Sequence, residues 1–240
     1  ILYVRSPRYR SLALPRSPIE LYFDIEAEPD LDLDYLHGVL VVEPASAEPG
    51  SAPSSAHGID RRTSHDRPTH RECHHSFLAK SPNQEAQIWQ DLLTCFETYG
   101  DAPIYHFCEY EVEAFKRLAQ RYSLPIARRD RILARFIDIH AWLTETVVLP
   151  IEGYALKQIA HYLGFRWRDP KANGAHAVYW YDRWLNTGDP AYLTAIVDYN
   201  EDDCRATYRV KAWLVDFWQT QATGAILPPT RPRRSTHSVI

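Results

Sequence analysis

Asp24 and Glu26 stand two residues apart in an apolar, β-prone run, residues 20–26 (ELYFDIE). On a strand that spacing sends both carboxylates off the same face. Far along the chain, Tyr199 and Asp203 stand at i and i+4 of an amphipathic run, which makes them neighbours on one face of a helix. Brought together, these groups could hold two divalent cations about 4 Å apart, the apparatus of phosphodiester hydrolysis. Two carboxylates on one buried face repel each other and lose hydration, and a bound Mg²⁺ or Mn²⁺ would relieve both costs. The pair equally suits a strand end where both groups reach water, but the flanking Leu21, Tyr22, Phe23 and Ile25 favour a central strand. A phenol beside a metal-binding carboxylate can orient, or help deprotonate, an attacking water. The alternative for Tyr199 and Asp203 is an acid-rich first helical turn suited to the helix dipole, with Asp198 or Asn200 as cap. Glu201 and Asp202 are expected to face solvent.

Between these anchors, residues 105–111 (YHFCEYE) cross from a strand into a helix. A carboxylate in that first helical turn can reach a site at the strand ends. Glu111 is the expected group and Glu109 the alternative. His106 either lines the same site or is a hydrogen-bonded core residue, and Asp138 is structural or supports the site from behind. Tyr179, Trp180, Tyr181 and Trp184 could stack unpaired bases, although at least two of the four are expected in the core. His65, His70, Cys73, His74 and His75 lack the paired ligand groups of a structural zinc site. There is no Gly-rich phosphate loop, nucleophile elbow or dinucleotide fingerprint.

The elements that must position these residues follow from periodicity. Strands are predicted over 20–26, 35–42, 75–79, 103–107 and 135–139. Helices are predicted over 83–99, 109–122, 140–148, 154–163, 176–185 and 191–219. Residues 43–73 are rich in Pro, Ala, Ser, Gly and His and poor in large apolar side chains, so they read as a disordered insertion between two strands. A β-meander followed by alternating elements and a helical run predicts an α/β domain over residues 19–218. Its mixed sheet of about five strands carries helices on both faces.

The 240 residues suffice for one well-buried domain with irregular segments around it. Residues 1–18 read as a linker from a missing upstream region and 219–240 as a loose tail. Met is absent and the first residue is Ile, so a fragment of a longer polypeptide is expected. A net charge of −4 argues against holding nucleic acid by bulk basicity, but not against a nuclease whose carboxylates await metal. Four scattered cysteines without paired spacing suit a reduced, cytoplasmic protein. No apolar stretch approaches the ~20 residues of a membrane span.

In order and separation, Asp24-x-Glu26, His106-x4-Glu111 and Tyr199-x3-Asp203 resemble the three motifs of DEDD exonucleases in the ribonuclease H-like superfamily. The tyrosine resembles the DEDDy branch. The strings YFDIE, YHFCEYE, GYALK (153–157) and YNEDDCRAT (199–207) are similar to the ribonuclease H-like module of RecB-family nucleases. The resemblance implies a metal-dependent 3′–5′ exonuclease on single-stranded DNA or RNA. Asp24, Glu26, Glu111 and Asp203 would hold two Mg²⁺ or Mn²⁺ ions, Asp24 would bridge them, and Tyr199 would position the water. It also implies an upstream nuclease or helicase-like domain, and it puts Lys157 near the site, where it meets a phosphate or stays solvated. The class has Asp at its second motif where this chain has Glu111. The function from another class is a non-catalytic nucleic-acid-binding or scaffolding module.

Overall fold

The computed structural model describes residues 4–5, 14–15, 17–45 and 70–222. In chain order the elements are β1 (Val4–Arg5), β2 (Glu20–Glu28), β3 (Leu33–Pro44), β4 (His70–Leu78), α1 (Glu85–Thr98), β5 (Ile104–His106), α2 (Tyr110–Arg121), α3 (Ile126–Leu133), β6 (Phe136–Asp138), α4 (Ile139–Thr146), β7 (Val147–Val148), α5 (Leu156–Tyr162), α6 (Gly174–Thr187) and α7 (Pro190–Ala222). Five strands form one sheet in the order β4-β3-β2-β5-β6. The β2–β3 and β3–β4 pairs are antiparallel; β2–β5 and β5–β6 are parallel. This is the mixed five-stranded α/β sheet expected, with β2 at its centre.

The period-two alternation of β2 divides the core. Leu21, Phe23 and Ile25 pack with Trp89, Leu92 and Phe96 of α1 and Phe115 and Leu118 of α2. Tyr22 faces the other way and joins Leu143 of α4, Ile159 of α5 and Cys204, Val210 and Leu214 of α7. Helices therefore cover both faces. Each such fully buried large side chain contributes roughly 1.5–3 kcal/mol relative to exposure. A tight turn joins β2 to β3: a 3₁₀ segment at Pro29–Leu31 ends on Asp32, whose φ of 47° is left-handed.

The long last helix has local causes. Pro190 occupies its first turn, where no hydrogen bond is lost, and Asp189 accepts from the Ala191 N–H at 2.9 Å. No Gly or Pro interrupts residues 191–222. Gly188, at φ 68°, ends α6 just before it.

Several boundaries differ from expectation. The strands flanking the polar segment are longer than predicted: Glu43 pairs with Arg71 and Val41 with Cys73. Residues 43–44 and 70–73 are therefore strand, because ladder hydrogen bonds and one covered face offset their polar composition. The rest of the expected insertion, 46–69, lies outside the described residues. Within the expected linker, Val4–Arg5 pairs with Val147–Val148, and this pair ends α4 two residues early. The Arg-rich α3 was not predicted. The last helix continues to Ala222, past the expected start of the tail, and residues 223–240 lie outside the description. Among the described residues no helix is long and apolar enough to cross a membrane, and all four cysteines are free thiols.

Candidate metal centre

Alternation along β2 puts Asp24 and Glu26 on the face that α7 crosses, and the fourth turn of α7 brings Asp203 to meet them. Carboxylate oxygens of Asp24, Glu26 and Asp203 all lie within 4.8 Å of one another. Glu111, from the first turn of α2, is 4% exposed and lies close enough to raise the pKa of both Asp24 and Glu26. Its Oε2 atom is buried without a hydrogen-bond partner, 3.7 Å from His106 Nδ1.

Neutral donors hold two of these carboxylates. Asn200 Nδ2 donates to Asp24 Oδ2 at 2.8 Å, and Trp167 Nε1 donates to Asp203 Oδ1 at 2.6 Å. The Tyr199 hydroxyl lies close enough to Asp203 to favour its charged form. Each anchor thus has one oxygen fixed by an uncharged group. Among the described residues no Lys or Arg forms an ion pair with Asp24, Glu26 or Asp203. Lys157 is the nearby cation: it favours the charged form of Asp203, donates to the Ala172 carbonyl, and sits 5.2 Å from the Trp167 ring centre.

Burial and mutual repulsion follow from this arrangement. Burial, then Asp203, Glu26 and Glu111, push the Asp24 carboxyl well above the usual carboxylate range, against the Asn200 hydrogen bond. Glu26 is raised in the same way by burial, Asp203 and Glu111. Burial raises Asp203 to about 7, opposed by Trp167, Tyr199 and Lys157. Burial raises Glu111, opposed by His106. Burial and the adjacent Asp203 push the Tyr199 hydroxyl far up, so it stays protonated at neutral pH. Converging oxygen ligands with excess negative charge, paired with no Lys or Arg among the described residues, fit a hard divalent ion.

Other residues fall differently from expectation. Asp198 and Asn200 do not cap a helix, because α7 begins at Pro190. Asn200 is instead fully buried against Asp24. Gly38, opposite Asp24 on β3, makes this possible, since a Cβ there would lie 1.7 Å from Asn200 Oδ1. Asp202 is buried and accepts from the Arg168 N–H, and Glu201 pairs with Arg168 and Arg205; neither is simply solvated. His106 is buried and donates from Nδ1 to the Cys108 carbonyl at 2.7 Å. It therefore stands as a buried neighbour of Glu111.

Asp138 caps α4 through His140 and Ala141 and also accepts from the Cys108 N–H. Cys108 has φ 76°, a strained value for a residue with a side chain. Glu109 is exposed, whereas Glu111 is buried. Tyr181 stacks on Tyr35 in the core, and Trp184 Nε1 donates to the Lys80 carbonyl. Among the described residues the only cluster of three or more metal-ligating side chains is the acidic one; His70, Cys73, His74 and His75 lie along β4, and His65 is outside the description. Sequence reasoning missed Asn200 as a support for Asp24, and it missed Trp167 and Gly38.

A family model described as the RNase_H superfamily matches residues 63–215, and the chain belongs to this superfamily. No curated protein and no solved structure matches it. The matched span includes Glu111, Tyr199 and Asp203 but begins after β2, so Asp24 and Glu26 enter the site on geometry. The ribonuclease H-like fold and the acidic cluster together point to nuclease chemistry on nucleic acid, supported by divalent metal ions.

Proposed function

We propose that the chain is a metal-dependent nuclease, a DEDDy-type 3′–5′ exonuclease on single-stranded DNA or RNA, akin to the ribonuclease H-like module of RecB-family nucleases. One observation carries this reading. Asp24, Glu26 and Asp203 converge within 4.8 Å on a buried face, among the described residues no Lys or Arg forms an ion pair with them, and Glu111 is close enough to feel their charge.

Asp24, Glu26, Glu111 and Asp203 would hold two Mg²⁺ or Mn²⁺ ions, with Asp24 shared between them. Bound there, such ions supply a nucleophile at neutral pH and stabilise the leaving oxygen. Asn200 and Trp167 fix one oxygen of Asp24 and of Asp203, which leaves the other oxygen of each for metal. Tyr199, protonated and close to Asp203, orients the attacking water through its hydroxyl. Lys157 offers a point charge to the phosphate of the bound strand. Glu111 reaches one methylene further than the Asp of the wider class, so it can meet a metal from a more distant backbone.

The test is digestion of labelled single-stranded DNA and RNA in Mn²⁺ by the wild type, Asp24→Asn and Asp203→Asn. The wild type should degrade at least one substrate and both variants should lose most activity. Equal digestion by all three proteins would refute this mechanism. A wild type that binds without digesting would mark a non-catalytic module.

A further inference from the structure

Beside the carboxylates lies a cavity of about 210 Å³ between α6, α7 and the loop of residues 163–173. Trp180 and Tyr199 supply its aromatic walls, and the small Ala172 and Ala195 leave it open. Tyr199 links it to the acidic centre: the residue lines the cavity, and its hydroxyl is near enough to Asp203, Glu26 and Asp24 to feel their charge. The volume is below the roughly 300–1,000 Å³ of small-molecule pockets, so it suits one flat ring system. Of the four aromatics grouped on α6, Tyr181 and Trp184 are committed to Tyr35 and to the Lys80 carbonyl. Trp180 is half-buried and lines this space.

Charge decides the class of occupant. The rim carries Asp169, Asp198 and Asp202 against one cation, Arg168. The guanidinium of Arg168 is already shared between Asp198 and Glu201, at 2.8 and 2.7 Å, and its backbone N–H serves Asp202. A phosphate entering here would meet net negative charge with the guanidinium already engaged. A neutral aromatic base with N–H donors on its edge meets a π-face and carboxylate acceptors.

Resting on the nuclease reading above, we propose that the Trp180–Tyr199 cavity seats one nucleobase of the strand whose phosphate lies at the carboxylate centre. Stacking on an aromatic platform accepts any base, so the seat holds the strand in place mainly by stacking, with the carboxylate rim favouring bases that present N–H donors.

The experiment measures binding and cleavage separately on the full chain. Fluorescein-labelled single-stranded dodecanucleotides, and an abasic deoxyribose-phosphate strand of the same length, are titrated in Ca²⁺ with anisotropy as readout. Digestion is followed in parallel in Mn²⁺, and heat denaturation is recorded for every variant. Trp180→Ala, which removes the platform, and Ala195→Leu, which fills the seat, should each weaken oligonucleotide binding about 5- to 100-fold. Trp180→Phe should keep most of it, and the abasic strand should bind wild type and Trp180→Ala alike. If Trp180→Ala proves poorly folded, Ala195→Leu decides. The proposal is overturned if folded variants bind the oligonucleotide as the wild type does, or if the wild type does not bind it. Trp180-dependent binding without digestion would sink the hydrolytic reading and keep the seat. Digestion at equal KM in all variants would do the reverse.

Discussion

Replacing Asp203 with Asn should stabilise the metal-free protein. Asp203 sits on a buried face beside Asp24 and Glu26, and its carboxyl is raised from 3.8 to about 7. A raised acid keeps its proton in the folded state after the unfolded chain has released it. Stability is therefore full below the ordinary carboxylate range and falls as pH climbs from about 4 to about 7. At 1.36 kcal/mol per pH unit, the cost of charging this group reaches about 4 kcal/mol at pH 8 and roughly 1.7 kcal/mol at pH 5. Asp203→Asn removes that cost and keeps an amide oxygen able to accept from Trp167 Nε1. Urea denaturation in EDTA should show the variant more stable than wild type by up to about 4 kcal/mol at pH 8, with a clearly smaller gain at pH 5. Mn²⁺ should reverse the order, because wild type gains ligand-linked stability that the variant lacks. A variant that is no more stable in EDTA at pH 8, with both proteins stabilised equally by Mn²⁺, would refute the idea of a strained, metal-awaiting cluster.

Gly38→Ala puts a methyl group onto Asn200 Oδ1 and should cost about 1–3 kcal/mol by overpacking; calorimetric Mn²⁺ titration should show weakened binding as Asn200 is pushed from Asp24. Trp167→Phe keeps most of the packing but loses the N–H on Asp203, and should reduce Mn²⁺ affinity about 10- to 100-fold, read by the same titration, with Asp24 and Glu26 intact. Cys108→Val sets a β-branched residue at φ 76° and should destabilise by at least about 1–3 kcal/mol, whereas Cys108→Gly should be neutral or mildly stabilising in urea denaturation.

The parts of the site legible in the sequence were those encoded by short-range spacing. The i, i+2 pair on β2 and the i, i+4 pair on α7 needed only the geometry of one element each. The central position of β2 followed from its unbroken apolar flank. What stayed hidden depends on contacts across the fold. Asn200 looks like an ordinary polar residue in an acidic run, and its role appears only when Gly38, on another strand, opens space for it. Trp167 lies in a loop between α5 and α6, where no periodicity points. The edge strand β4 (HRECHHSFL) has the composition of a linker because only one of its flanks is paired. α3 reads as surface because its buried side is narrow, with Ile132 its buried residue.

The central claim is that four distant acids form one centre for a pair of cations. Mn²⁺ titration of the full chain, by calorimetry at neutral pH, tests it most directly. Two ions should bind per chain with release of protons, and Asp24→Asn should abolish both sites because Asp24 is shared between them. Binding that is absent in the wild type, or that persists unchanged in Asp24→Asn, would contradict it.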